Sequence, residues 1–222
     1  VGTEKRSHVM TDAEKKLTAY HEAGHAVVTY YCPTQDPVHQ ISIIPRGMAG
    51  GYTMSLPAED RSYKCKKEML EDIQVLLGGR VAEALTLDDI STGASNDIER
   101  ATDLARKMVT KYGMSEALGP VVYTSSDSDE VFLGRDLGHS RNYSEEIASR
   151  IDEEVHTILM DGYKGTEEKL SAHMDQLRRV AEALIEKEKL DGEEFRAIME
   201  GQDTVVAQQN DDLPKAEDTP NE

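Results

Sequence analysis

His21-Glu22-Ala23-Gly24-His25 reads H-E-x-x-H, a pattern in which a helix brings two imidazoles to one metal ion and sets a carboxylate beside it. Four residues apart, His21 and His25 project from the same helix face about one turn from each other. Both rings can then reach one Zn²⁺ at roughly 2.0–2.1 Å. Glu22 lies about 100° further round, beside the ion, where it can take a proton from water. The flanks agree with a helix: Leu17, His21, Gly24, His25 and Val28 share one stripe, while Glu14, Lys15 and Lys16 keep the early turns soluble. The competing reading, a helix with two incidental histidines and a salt-bridged glutamate, leaves the order of the three residues unexplained.

A chain of 222 residues suits one domain, or one domain with an appendage. Hydrophobic residues make up 38% and aromatics 5%, with no Trp and two Phe. Its core must therefore rest on Leu, Ile, Val, Ala and Met, which favours helix packed on helix. The formal net charge of −18 excludes nucleic acid, whose phosphates would be repelled, and a polybasic membrane contact. Cys32 and Cys65 are too far apart for a C-x₂₋₄-C metal pair, and two free thiols in a reducing compartment is the simpler reading. The sequence contains no signal peptide and no apolar run near the 18 residues that span a bilayer. It begins Val1-Gly2 without an initiator Met, as expected of a piece of something longer.

Periodicity predicts a mainly α fold. Residues 1–10 read as a linker, 11–201 as one domain, and 202–222 as an acidic disordered tail with a single basic residue, Lys215. The first helix is expected from Thr11 or Asp12 as N-cap to about Tyr31, stopping before Pro33. His39–Pro45 and Tyr52–Leu56 read as the strands of a small hairpin turned by Gly47, Gly50 and Gly51. A long helix follows over 62–87, with Gly78-Gly79 hinting at close packing in its middle. Asn96 and Glu99 imitate a capping box that opens a helix through Tyr112, stopped by Gly113. A short strand at Val121–Tyr123 and a polar loop at Ser125–Glu130 come next. The C-terminal part reads as a helical bundle: helices over 144–163 and 166–188, joined as a hairpin at Gly162 and Gly165, then a short helix over 192–199.

Two histidines do not complete a catalytic zinc site, which needs a third protein ligand and an open fourth position. The extended metzincin pattern would need Gly at 28 and His at 31; Val28 and Tyr31 exclude that class. His8, His139, His156 and His173 lie in linker or polar contexts, and His39 sits at a strand edge. Glu68, Glu71, Glu83 and Asp97 all qualify as the carboxylate ligand, and spacing does not choose among them.

The segment Thr18–Val27 (TAYHEAGHAV) resembles the zinc helix of the FtsH family, the membrane-anchored ATP-dependent AAA proteases. The likeness continues through Ile43-Ile44-Pro45-Arg46-Gly47 and Gly51-Tyr52-Thr53, then Leu77–Glu83 (LGGRVAE) and Ser91–Thr102 (STGASNDIERAT). It resumes at Tyr112-Gly113-Met114-Ser115, Leu118-Gly119-Pro120 and Ile151–Val155 (IDEEV), so it covers nearly everything from about Glu4 to Met199. The resemblance implies that the third zinc ligand is Asp97 rather than Glu83. A carboxylate near a helix start is also stabilised in its charged form by the helix dipole. It further implies one Zn²⁺ per chain, Glu22 as catalytic base, unfolded protein substrates and a homo-hexameric ring. The domain would face the cytoplasm at a bacterial membrane, or the equivalent side in an organelle. No G-x-x-x-x-G-K-[ST] phosphate loop occurs, so the likeness is to the peptidase domain, with ATPase module and transmembrane segments expected elsewhere in the full-length protein.

On this reading substrate binds extended along the small sheet near Gly50, Gly51, Tyr52 and Thr53. The rival is a non-catalytic ring-forming assembly domain with a structural metal. Closed structural sites usually use four Cys or His ligands, which a pair of histidines with a glutamate in the base position does not match.

Overall fold

Thr11 opens the helix that carries the two histidines. Its hydroxyl accepts from the Glu14 amide while the Glu14 carboxylate accepts from the Thr11 amide, a capping box at the start of α1 (Asp12–Tyr30). The structure, a computed structural model, describes residues 10–45, 50–57, 62–87, 89–123 and 143–202. Over its second half α1 is covered on every side, with Ala19, Ala23, Ala26, Val27 and Val28 fully buried. A helix wrapped in this way runs through the core rather than over it. One side of α1 packs on α2 (Lys66–Thr86) and another on α5 (Met174–Lys187).

Glycine allows the first of these contacts. A Cβ at Gly24 would strike the Gly78 carbonyl and the Ala82 side chain, and one at Gly78 would lie 2.9 Å from the Gly24 carbonyl. The helices therefore cross backbone to backbone, as the Gly78-Gly79 pair implied. Gly24→Ala is expected to cost about 2 kcal/mol through overpacking against a backbone that cannot yield. Thermal melting should show it as a drop of roughly 4–8 °C for a domain of this size.

The small sheet has the order β2-β1-β3 and is antiparallel throughout. Its first two strands are the expected hairpin, β1 (Val38–Ser42) and β2 (Tyr52–Ser55). The third, β3 (Lys189–Asp191), was not foreseen. Three residues are too few to show a period, and they pair only because Glu188, at φ 62°, turns the chain out of α5. The Glu188 carbonyl accepts from the Ile43 amide at 3.0 Å, which aligns the segment with β1. Asp191 then caps α6 (Gly192–Met199) in a second capping box with Glu194. Ile41 stands opposite Thr53 on one side and Leu190 on the other. Facing pairs share a sheet face, and Ile41 and Leu190 are fully buried, so Thr53 faces the core side, toward α1.

The remaining helices are α3 (Ser95–Thr110) and α4 (Glu145–Ala172). Together with α2 they enclose one hydrophobic cluster around Ile73, Leu77, Ala105, Met108 and Ile151. A second joins α1, the sheet, α5 and α6 through Val27, Ile41, Leu184, Leu190 and Phe195. Tyr163 borders both.

Three sequence expectations are corrected. Gly162 and Gly165 do not join two helices but lie inside α4. They let it cross α2 closely: a Cβ at Gly162 would lie 2.9 Å from Ile73, and one at Gly165 2.8 Å from Gln74. Thr166 hydroxyl donation to the Gln74 and Gly162 carbonyls reinforces that crossing. The break falls at His173 (φ −126°, ψ 33°), whose ring stacks on Tyr31 at 3.7 Å. Asn96 is no N-cap, because a 3₁₀ turn at Thr92–Ala94 leads into a helix that is already helical at Ser95. Val121–Tyr123 forms no strand and pairs with none among the described residues, its Tyr123 amide donating to the Thr110 carbonyl. The Ser125–Glu130 loop, and the linker and tail except Met10 and Gln202, lie outside the described residues.

Candidate active site

α1 presents His21 and His25 toward α2 and the start of α3. His25 Nδ1 lies 2.7 Å from the Val75 carbonyl, which can only accept, so that nitrogen carries the proton and Nε2 keeps its lone pair. His21 Nδ1 lies 2.8 Å from Glu83 Oε1, and a carboxylate there imposes the same tautomer. The two Nε2 atoms are 3.1 Å apart, and Asp97 Oδ2 lies 3.3 Å from one and 3.4 Å from the other. Three acceptors thus converge with no donor of their own, an arrangement that a cation, or a proton on one ring, must hold together. Among the described residues, His21, His25 and Asp97 form the one group whose ligand atoms lie close enough to share a metal ion, within 4.8 Å of one another. Two nitrogens and one carboxylate oxygen suit Zn²⁺ with a fourth position open.

The other carboxylates weighed from sequence go elsewhere. Glu68 pairs with Lys64, and Glu71 takes the amide and hydroxyl of Thr34. Glu83 is fully buried and saturated: besides His21 it accepts from the Ser91 amide at 2.8 Å and the Ser91 hydroxyl at 3.0 Å. It stands behind His21 and orients it, as a carboxylate behind a metal-binding histidine commonly does. Ser91 also caps the 3₁₀ turn before α3, so one glutamate ties the His21 ring to the loop that delivers Asp97. Gly79 supplies the room, because a Cβ there would enter the His21 ring. His39 and His156 are exposed, and His8 and His139 lie outside the described residues.

Charge follows geometry. Burial opposes a proton on His21, but the Asp97 and Glu83 carboxylates outweigh it and hold the ring's pKa at about 9. Burial likewise works against ionised Asp97, yet its hydrogen bonds with His21 and His25 carry its pKa well below the usual range. Glu83 is lowered too, the His21 and Ser91 hydrogen bonds overcoming its burial. Glu22 moves the other way. Desolvation raises its pKa, with the two histidines and Thr53 only partly offsetting that.

Glu22 is buried on α1, one residue from His21, facing the sheet. Thr53 donates its hydroxyl to Glu22 Oε2 at 2.8 Å. A Cβ at Gly51 would come within 2.8 Å of Glu22 Oε1 and of the Ser42 carbonyl, so glycine admits the carboxylate there. Of the four residues read as substrate-binding, Gly51 and Thr53 thus lie against Glu22. Gly50 is exposed and borders Thr18. Tyr52 turns to the other face, its hydroxyl donating to Gln40 at 2.7 Å. Sequence reasoning missed the supporting contacts of Val75, Gly79, Ser91 and Thr53; only the glycine pair left a visible signal.

The model of peptidase family M41 matches residues 8–198. The chain belongs to that family. Among curated relatives of this M41 chain, the ATP-dependent zinc metalloprotease FtsH 1 of Thermoanaerobacter sp. (strain X514) is 61% identical over 202 residues, covering 91% of the chain and 33% of that protein. The ATP-dependent zinc metalloprotease FtsH of Caldicellulosiruptor bescii is 59% identical over 199 residues, covering 90% and 32%. That of Veillonella parvula is 54% identical over 191 residues, covering 86% and 30%. The chain spans about a third of the length of the curated relatives it matches. The FtsH resemblance read from the motifs is borne out, and so is the mainly α fold with a small sheet.

Proposed function

We propose that this chain is the zinc-dependent endopeptidase domain of an ATP-dependent membrane protease, hydrolysing peptide bonds of unfolded proteins. The convergence of His21 Nε2, His25 Nε2 and Asp97 Oδ2, with buried Glu22 beside them, carries the reading. These three residues would hold Zn²⁺, which would supply Lewis acidity to activate water near neutral pH and polarise the scissile carbonyl. Glu22 takes the proton of the attacking water and passes it to the departing amine. Substrate lies extended along β2, the outer strand of the sheet among the described residues, and adds to it as a further strand. Main-chain pairing of that kind accepts many sequences. In the whole protein the domain works in a homo-hexamer with an ATPase module and a membrane anchor, on the cytoplasmic side. No helix among the described residues is long and apolar enough to cross a membrane.

Casein digestion tests the activity. Cleavage that stops with a chelator and returns with zinc is expected; chelator-insensitive cleavage, or none from zinc-loaded protein, sinks the reading. The names of the relatives, all zinc metalloproteases, favour it over a structural-metal assembly domain.

The metal step has a pH signature. With its pKa at about 9, His21 of the metal-free protein is protonated at pH 7, and zinc must displace that proton. Zinc affinity should rise about tenfold per pH unit up to pH 9 and then level off. Calorimetry in buffers of different ionisation enthalpy should find close to one proton released per zinc at pH 7.5. The same shifts set the stability of the metal-free protein. The raised His21 pKa stabilises fully below its ordinary value of 6.5, and that contribution is lost as pH climbs through about 9. The lowered Asp97 pKa stabilises above its ordinary value of 3.8, and this is lost as pH falls. Metal-free protein should therefore melt highest between about pH 4 and 6.5.

A further inference from the structure

We propose that Thr53 is the positioning residue of the general base: its hydroxyl fixes one oxygen of Glu22 and leaves the other to meet the reacting water. The inference rests on the reading of Glu22 as base. Glu22 is 6% exposed, so its carboxylate has little water to hold it. Among the described residues the Thr53 hydroxyl is its one hydrogen-bond donor, at 2.8 Å from Oε2. The same hydroxyl lies 3.1 Å from the Glu22 carbonyl, which ties it to the backbone as well as the side chain of that residue. On the opposite side Gly51 admits Oε1 closely. The carboxylate is therefore held between Gly51, just ahead of β2, and Thr53 within it, rather than by its own helix.

Register makes this arrangement specific. Thr53 stands opposite buried Ile41, and its neighbour Tyr52 points to the other face. A slip of one residue would replace the hydroxyl with Tyr52 or Met54. The strand proposed to take the substrate thus also sets the base. A chain paired with β2 would lie on the strand that holds Glu22 in place as the water attacks the scissile carbonyl.

The test separates hydroxyl from methyl in the zinc-loaded protein, with a quenched fluorescent peptide as substrate. Thr53→Val keeps the shape and removes the donor; it should lower kcat roughly 10–100-fold, within the range of acid–base catalysis. KM and zinc content should stay near those of the parent, while the melting temperature falls modestly because the buried Glu22 carboxylate loses its donor. Thr53→Ser keeps the hydroxyl and should recover kcat to within about threefold, which a packing role for the methyl would not allow. Thr53→Ala must follow Thr53→Val, which guards against a folding defect peculiar to the valine. A Thr53→Val kcat within twofold of the parent, or a loss confined to KM, overturns the proposal. Glu22→Gln runs beside these variants. If it is inactive while Thr53→Val is normal, the positioning role alone fails; if it is active, the base assignment fails and the positioning role goes with it.

Discussion

Glu22→Gln is expected to keep its zinc and lose nearly all peptidase activity, by roughly 10²–10⁴-fold in kcat. The reason is local. Glutamine has the size of glutamate and its amide oxygen can still accept from Thr53, so packing and register are undisturbed. His21, His25 and Asp97, which hold the ion in the proposed site, are untouched. What disappears is the ability to take a proton, since an amide is not a base near neutral pH. Metal content by mass spectrometry and peptide cleavage should be measured on one preparation. Normal turnover by a zinc-replete variant would end the mechanism.

Asp97→Ala and Glu83→Ala should part company, although both remove a carboxylate that touches His21. Asp97 supplies an oxygen to the proposed metal position, so its loss should empty the site at ordinary zinc concentrations and abolish cleavage. Glu83 stands on the far side of the ring, bonded to Nδ1. Losing it frees the tautomer and orientation of His21 and should weaken zinc by about 10–100-fold, while excess zinc restores activity. It also strands the amide of Ser91 and leaves a cavity at a fully buried position, so melting temperature should fall. Titration with a competing chelator reads both effects. Should Glu83→Ala empty the site and Asp97→Ala leave it filled, the two roles would be exchanged.

How much was legible depended on how local the cause is. The α1 N-cap is a local signal and the histidine spacing is a property of one helix, so the start near Thr11 and the His21–His25 pair were readable, while the capping box with Glu14 emerged only from the structure. The hairpin was readable because β-branched runs and glycines mark it. Gly162 and Gly165 misled because a glycine inside a helical pattern has two causes, a break or a close neighbour, and the neighbour at Ile73 and Gln74 is far off in sequence. β3 was invisible for a similar reason: its pairing depends on a partner well over a hundred residues away.

The same division runs through the site. Sequence alone determined a helix with two imidazoles on one face and a carboxylate beside them, the mainly helical class, and, through the ordered motifs, the family. It left Glu68, Glu71, Glu83 and Asp97 open, since each is a carboxylate on or near a helix, and resemblance alone preferred Asp97. Tertiary structure decided which carboxylate faces which nitrogen of His21. It did so by bringing the backbones of α1 and α2 into contact at Gly24, Gly78 and Gly79, so that Glu83 lies behind the ring. The turn after Ser91 then delivers Asp97 in front of it. Tertiary structure also set Thr53 against Glu22, because strand register, not composition, chooses which side chain of β2 looks inward.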